Sequence, residues 1–340
     1  MKILIFLPVE KKYIKLWEYY RSDINLIKDI SDKFLLTNSL WEFLKNIHKF
    51  DAVYCWWWHR VSLIGLVTKI LKKKLVCTGA IHMFDLSGES TFFTKSHLHQ
   101  ILNKITFRIS DNNLFLSFDQ MKQITSHIKV KNPQVVYSSL DKKHLEKFKN
   151  VKEEIKKKKI FKKKILLSIL WLSKSNIKRK GLLETIDALS KIDKSKFFFY
   201  ILGKEGDGLD ELKKIIINKK LNKNVKIIIN ASTKTKEKYF QKSDLFIQPS
   251  WCEGQGFAVV EAMSWGLIPV VSRYTAQPEV VKKNGYIIND INENEIKAVI
   301  NNFCNKNSKT IKIQSMRTLL FCHDFFSYHK HKKILKKIFK

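Results

Sequence analysis

Two glutamates stand eight positions apart in the stretch SWCEGQGFAVVEAMSWGLIPVVS, residues 250–272. Glu253 precedes Gly254-Gln255-Gly256, and Glu261 falls inside an apolar run that ends at Gly266. Carboxylates in so apolar a setting are suited to accepting hydrogen bonds from hydroxyl-rich ligands. The two glycines allow a backbone to approach a ligand closely and to adopt positive φ. The pattern predicts a strand over Leu245–Gln248, a turn carrying Glu253, and a helix from about Gly256 to Trp265 with Glu261 in its interior. At about 1.5 Å per residue, Glu261 lies roughly 7 to 8 Å along that helix. A sugar joined to a nucleotide and laid along the helix would meet Glu253 near the sugar and Glu261 at the ribose hydroxyls. N–H groups at the helix start would suit hydroxyl or phosphate oxygens. Each acid also has a plainer reading. Ser250-x-x-Glu253 is a capping-box spacing, and Glu261 can reach solvent from one edge of a helix.

The elements needed to position such a turn recur along the whole chain. Strands are predicted at Lys2–Leu7, Ala52–Trp57, Lys74–Ala80, Asn113–Ser117 and Gln134–Tyr137, with a helix over Val61–Leu71. The alternation restarts with strands at Ile165–Trp171, Lys196–Leu202, Val225–Ile229 and Ile268–Ser272, and helices at Gly181–Ile192 and Leu209–Lys220. Strands separated by helices imply βαβ units and parallel sheets. The expected architecture is α/β: two Rossmann-like, doubly wound domains with an interdomain cleft, ligands lying beyond the carboxyl ends of the strands. The boundaries read as an N-terminal domain over 1–150, a basic linker over 151–164, a C-terminal domain over 165–325 and a basic helix over 326–340. The linker assignment rests on VKEEIKKKKIFKKK, whose alternative is a solvated helix face.

At 340 residues the chain is long enough for two cores, and 44% hydrophobic residues exclude a disordered basic tail. Five cysteines without a CxxC pair point to a reduced, cytosolic chain without structural zinc. The opening MKILIFLPVEKK reads as a buried first strand, because its apolar core is short and has no small-residue cleavage site. A formal net charge of +33 concerns partners: nucleic acid or anionic lipid. No DNA- or RNA-binding motif accompanies the charge, so a nucleic-acid role ranks low, and part of the lysine excess fits a general Lys/Ile/Asn bias.

EGQGFAVVEAMSWGLIPVVS resembles the E-x7-E segment of GT-B glycosyltransferases of the retaining, family-4 type. FFFYILGKEGDG, NVKIIINAS, YFQKSDLFIQPS and QPEVVKKNGYIIND are similar, in order, to that family's surrounding segments, and the likeness spans roughly residues 165–290. It implies an enzyme that moves a hexose-type sugar from a nucleotide sugar, a UDP- or GDP-sugar, to a glycan or lipid-linked acceptor in cell-surface polysaccharide or glycolipid synthesis. It also implies retention at the anomeric carbon. Glu253 would then serve the reacting sugar and Glu261 the ribose. Backbone groups of Gly254, Gln255, Gly256 and Phe257 would orient the sugar, and Asn230 would join the donor side from the nucleobase loop. In the N-terminal half, VCTGAIHMFD occupies the place of the strand that delivers an active-site histidine, making His82 the match. PQVVYSSLDKKHL resembles the last N-domain strand and its Asp-containing turn, here Asp141.

A departing diphosphate needs cations or oriented N–H groups. SILWLSKSNIKRKG supplies Lys180 before Gly181. The family's arginine position falls near Trp171, so Arg179 and Lys174 both remain open as its substitute. GKEGDG, residues 203–208, has G-x-x-G-x-G spacing and reads as a turn rather than a dinucleotide site. With no DxD, no metal or other cofactor is expected. WWWHR places Trp58, His59 and Arg60 at a crevice edge, as an acceptor wall or as closure of the domain core. In HKHKKILKKIFK, Ile334, Leu335, Ile338 and Phe339 share a helical face. That is the pattern of an interfacial helix on an anionic membrane, consistent with a cytoplasmic enzyme peripheral to the inner face, or of a helix docked on the core. An epimerase or phosphorylase on the same architecture is the alternative activity.

Overall fold

The computed structural model describes residues 1–10, 14, 18–83 and 91–340. Lys11-Lys12 of the first turn, and Phe84 and Asp85 at the close of VCTGAIHMFD, lie outside the described residues. The chain divides into two compact units. One holds the described residues up to Lys142 together with Phe326–Lys340, and the other holds Lys143–Phe325.

The first unit is a six-stranded parallel sheet of β1 (Lys2–Phe6), β2 (Lys33–Thr37), β3 (Ala52–Trp56), β4 (Lys74–Gly79), β5 (Asn112–Phe115) and β6 (Pro133–Val135), in the order β2-β1-β3-β4-β5-β6. The central strand β3, AVYCW, is buried at every position, as a sheet covered on both faces requires. Phe43, Ile64, Phe107 and Ile124, from four successive helices, share one core cluster with Leu4, Val53 and Leu75. Those helices therefore cover one side of the sheet, as right-handed crossovers dictate.

The second unit repeats the plan with β7 (Lys164–Trp171), β8 (Phe197–Lys204), β9 (Val225–Ile229), β10 (Leu245–Ile247), β11 (Ile268–Ser272) and β12 (Tyr286–Ile288), in the order β12-β11-β10-β7-β8-β9, again all parallel. The interior strands match the sequence pattern to within a residue or two. β2 and β12 do not announce themselves, because both are edge strands and half-buried, with weak apolar runs.

The boundary expected after residue 150 falls instead near 142. A helix spans Lys142–Lys157 and runs into the segment read as a linker. Val151 and Ile155, one turn apart, are its buried positions, and Glu153, Glu154, Lys156 and Lys157 lie on its solvated face. Gly266 (φ 75°) makes room for it, since a Cβ there would stand 2.4 Å from Ile155 Cδ1.

The helix Tyr328–Phe339 corrects the interfacial reading of the tail. It packs against the helix Glu18–Ile30 of the first unit with Leu335, Ile338 and Phe339 buried. The Tyr328 hydroxyl donates to Asp29 Oδ2 at 2.9 Å, and Lys332 reaches the same oxygen at 3.3 Å. Of the four apolar positions, only Ile334 remains at the surface. The spacing that suits a lipid interface also suits a protein core, and here the core takes it. Among the described residues no helix is long and apolar enough to cross a membrane. Leu335→Ala is expected to lower unfolding free energy by about 2–5 kcal/mol in a urea titration; an unchanged midpoint would detach this helix from the core.

Candidate functional site

In the second unit, the loops after β7, β10 and β11 gather one buried ionic cluster. β10 ends at Ile247, and Gln248-Pro249-Ser250 turn the chain toward Glu253, which is 8% exposed. Four donors converge on Glu253 Oε1: the Lys180 ammonium, Arg179 Nη1 at 3.3 Å, Ser250 Oγ at 3.0 Å and Gln248 Nε2 at 3.2 Å. The Glu253 amide donates to Thr275 Oγ1 at 2.9 Å. The Ser250–Glu253 spacing is therefore no capping box. The two side chains bond each other, and the helix begins only at Phe257, with Gly256 (φ 79°) as its N-cap.

Arg179 and Lys180 come from the end of the short helix Lys174–Arg179, capped by Ser173 Oγ. Arg179 Nη1 also donates to the Cys252 carbonyl, and Nη2 to Asn176 Oδ1, both at 2.6 Å, so its guanidinium is fixed on three sides. Gly181 (φ 64°) lets this segment press against the β10 loop, because a Cβ there would sit 2.4 Å from the Pro249 carbonyl oxygen. Of the two cations left open by the sequence, Arg179 is in the cluster. Lys174 is on the surface, 3.5 Å from Glu211. Trp171, at the position of the missing arginine, is half-exposed and donates to the Glu205 carbonyl.

Burial alone would raise the pKa of Glu253, but Lys180 and Arg179 outweigh it and hold the carboxyl at about 2. Burial pulls the Lys180 pKa down, and Glu253 opposes it. With two cations against one carboxylate, the cluster keeps one positive charge.

Gln277 ties the surrounding loops together. Its Oε1 accepts from the amides of Ser250 (3.2 Å) and Ser272 (2.9 Å), and its Nε2 donates to the Gln248 carbonyl at 2.7 Å. Ser272 Oγ adds a bond to the Ser250 carbonyl at 2.5 Å. Sequence reasoning missed Gln248, Thr275 and Gln277. Each is an uncharged residue whose role depends on a neighbouring strand end, and the one available signal was a polar residue just past an apolar strand.

Glu261 is also buried, but it does not turn to solvent. The Lys236 ammonium, from the helix Thr233–Lys242, pairs with its Oε1. Lys236 was hidden among the lysines of TKTKEKYFQK. Gln255 is buried and Phe257 half-buried at the head of the same helix, after Gly254. Asn230 takes positive φ (51°) after β9, and its Oδ1 accepts from the Glu205 amide at 3.3 Å, holding the 203–208 turn. The glycines of that turn serve packing. A Cβ on Gly206 would lie 2.6 Å from the Leu172 carbonyl carbon, and Asp207 Oδ1 accepts from the Lys174 amide.

The remaining candidates belong to the first unit. His82 follows β4, and its carbonyl accepts from the Phe92 amide at 2.7 Å. Asp141 is buried, with Asn25 Nδ2 3.2 Å from Oδ2. Trp58 corrects the acceptor-wall reading. It is 1% exposed, stacked on Phe115 and tilted against Phe107, with Nε1 donating to Asn113 Oδ1 at 2.8 Å. Trp57, at φ 70°, turns its neighbour inward and donates to the Tyr20 hydroxyl. His59 stacks on His99 at 3.8 Å, and burial, then His99, lower its pKa to about 4, so the ring is neutral near pH 7. Arg60 is exposed and reaches the Pro8 carbonyl at 3.3 Å.

Residues 150–316 match the family model described as glycosyl transferases group 1. No curated relative matches the chain by sequence. Among solved structures, the chain is similar to HepE from Anabaena in complex with UDP, with TM-score 0.78 and 16% identity over 99% of each chain. It is similar to sucrose-phosphate synthase from Thermosynechococcus elongatus, with TM-score 0.73 and 11% identity over 100% of this chain and 98% of that one. It is also similar to WaaG, a glycosyltransferase involved in lipopolysaccharide biosynthesis, with TM-score 0.68 and 12% identity over all of both chains. At these identities the likeness establishes the GT-B fold.

Two outcomes follow from the geometry. Glu253 is ionised in the fold well below the ordinary 4.5, so its stabilisation is complete above about pH 4.5 and is lost as pH falls toward 2. Glu253→Gln should flatten that acid limb in unfolding curves taken between about pH 5 and about pH 2.5, and parallel curves would contradict the cluster. Trp58→Ala should destabilise by about 3–5 kcal/mol, where a surface wall residue would change stability by about 0.5 kcal/mol or less.

Proposed function

We propose, from the match of residues 150–316 to the glycosyl transferases group 1 model, that the chain transfers a sugar from a UDP- or GDP-sugar to a glycan or lipid-linked acceptor, with retention at the anomeric carbon and without a metal ion. The observation that carries this reading is the buried Glu253–Lys180–Arg179 cluster at the carboxyl end of β10. Crevices beyond strand ends are where such sheets receive nucleotides. HepE of Anabaena has been solved with UDP and with UDP-glucose, which supports the choice of a uridine donor.

As the bond from the anomeric carbon to the diphosphate breaks, negative charge gathers on the departing phosphate oxygen. Lys180 and Arg179 meet that charge. They are held in place before the donor arrives, so little reorganisation opposes the step, and this is how fixed cations favour a transition state over a ground state. The cluster's residual positive charge supplies what a divalent ion does elsewhere. Glu253 Oε1 is committed to the cations, and its other oxygen is the one to accept from sugar hydroxyls. Glu261, released from Lys236 or shared with it, accepts from the ribose. The amides of Gln255 to Phe257 at the head of the helix orient the sugar. Asn230, through the 203–208 turn, borders the base.

A thermal-shift screen over UDP-, GDP-, ADP- and CMP-sugars tests the donor. Stabilisation by none of them at millimolar concentration would sink the reading, and the anomeric configuration of the product, read by NMR, tests retention. Glu261→Ala should raise the nucleotide Kd by about tenfold with a smaller change in kcat, the loss of a buried charged hydrogen-bond acceptor. Glu253→Ala should lower kcat by about a hundredfold or more with little change in nucleotide affinity. Unchanged kinetics in both variants would remove the two acids from the site.

A further inference from the structure

The helix Ser62–Ile70 of the first unit is built inside out. Its buried positions are Ser62, Ile64, Gly65 and Thr68. Ser62 Oγ lies 2.9 Å from Thr106 Oγ1, Thr68 Oγ1 bonds back to the Ile64 carbonyl, and a Cβ on Gly65 would stand 3.1 Å from Ile109 Cδ1 and Leu75 Cδ2. The inner face thus joins Ile64 and the half-buried Val67 to small and hydroxyl-bearing residues. Outward point Leu63 at 56%, Leu66 at 42% and Ile70 at 77% exposure, spaced i, i+3, i+7 along a single stripe. A helix on the surface of a water-soluble domain places its large apolar side chains the other way.

The stripe has neighbours. Trp41, on the helix Leu40–Asn46, is 77% exposed, and Leu98 and Ile101, on the helix His97–Ile109, are also exposed. The three helices send Phe43, Ile64 and Phe107 into one core cluster, so they form one layer over one side of the sheet. The layer is rimmed by exposed cations, among them Lys45, Lys72, Lys104 and Arg108. Between residues 40 and 110 the described residues carry ten lysines and arginines against two acids, Glu42 and Asp51. Aromatic and aliphatic groups at the centre with lysines at the rim are what an anionic lipid interface accepts: side chains enter the acyl boundary and cations meet phosphates. A second copy of this face would set like charges against like, which costs what an anionic surface gains.

We propose that the outer layer formed by the helices Leu40–Asn46, Ser62–Ile70 and His97–Ile109 docks the protein on an anionic bilayer, with Leu63, Leu66, Ile70 and Trp41 entering the interface. This goes beyond the donor-site reading and stands on a different unit of the chain. The tail helix Tyr328–Phe339 packs on Glu18–Ile30, outside this layer, and its lysines are not the docking surface.

The test is co-sedimentation of the full chain with vesicles of phosphatidylcholine, with and without phosphatidylglycerol. Binding is expected only with phosphatidylglycerol and should fall with added salt. Leu63→Glu combined with Ile70→Glu should weaken partitioning by at least about tenfold. Trp41→Glu, on a separate helix, should weaken it by at least about threefold. Lys336→Glu with Lys337→Glu in the tail should change it by less than about threefold. UDP-sugar stabilisation measured on each variant separates loss of docking from loss of fold, and it leaves the transferase reading intact if only docking fails. Parent-like partitioning of both apolar variants overturns the proposal. So does light scattering that shows a concentration-dependent dimer of the parent which Leu63→Glu/Ile70→Glu abolishes, since the occupant would then be a second copy.

Discussion

The second unit depends on keeping one carboxylate ionised where little water reaches it. Glu253 is buried, and a lone buried carboxylate would neutralise itself rather than stay charged. Two cations and two neutral donors offset that cost by converging on Oε1. Their convergence fixes much else. Gly181 has to be a glycine for the Lys180 segment to reach the β10 loop, and Gln277 has to join three loop segments so that the loop stays put. A buried ion pair is weak evidence for stability in itself, because hydrophobic residues of like volume often serve as well. That this one persists at the end of a parallel strand is consistent with use rather than with folding alone.

The two acids on either side of the helix start, Glu253 and Glu261, have unlike settings. Glu253 is held by residues near it in the chain and by a segment some seventy positions earlier, while Glu261 has its counterion on a separate helix. Each carboxylate comes with its own cation, so the residual positive charge resides on the Arg179–Lys180 side. A ligand with a diphosphate between two hydroxyl-bearing groups fits such a distribution. The glycine turn at 203–208 looks outwardly like a phosphate cradle, but its glycines are occupied by the backbone that follows β7.

The two apolar-and-basic helices of the first unit show how far composition is from placement. Tyr328–Phe339 has a clean amphipathic pattern and turns it inward, with Asp29 receiving Tyr328 and Lys332. Ser62–Ile70, SLIGLVTKI, looks like an ordinary buried helix and turns Leu63, Leu66 and Ile70 outward, because Gly65 and the hydroxyls of Ser62 and Thr68 are what fit against its neighbours. The charge of +33 pointed to an anionic surface, and the apolar residues that would give such a surface its grip are on a different element from the one the sequence singled out.

The sequence alone determined the α/β alternation, every interior strand to within a residue or two, and the turn-and-helix frame of Glu253 and Glu261. Those features are local: burial on both faces of a parallel strand demands a continuous apolar run, and a tight turn demands glycine. The sequence also brought Lys180 and Arg179 into consideration, through the resemblance of the surrounding segments. It did not determine that Arg179 rather than Lys174 joins Glu253, that Lys236 is the counterion of Glu261, that Trp58 belongs to the core, or that the tail helix is docked. Each of those choices lies between residues of the same chemical type, and what separates them is which distant strand end or helix face lies within bonding distance. That distance is set by packing two layers of helices on a sheet, and no local window of the chain contains it.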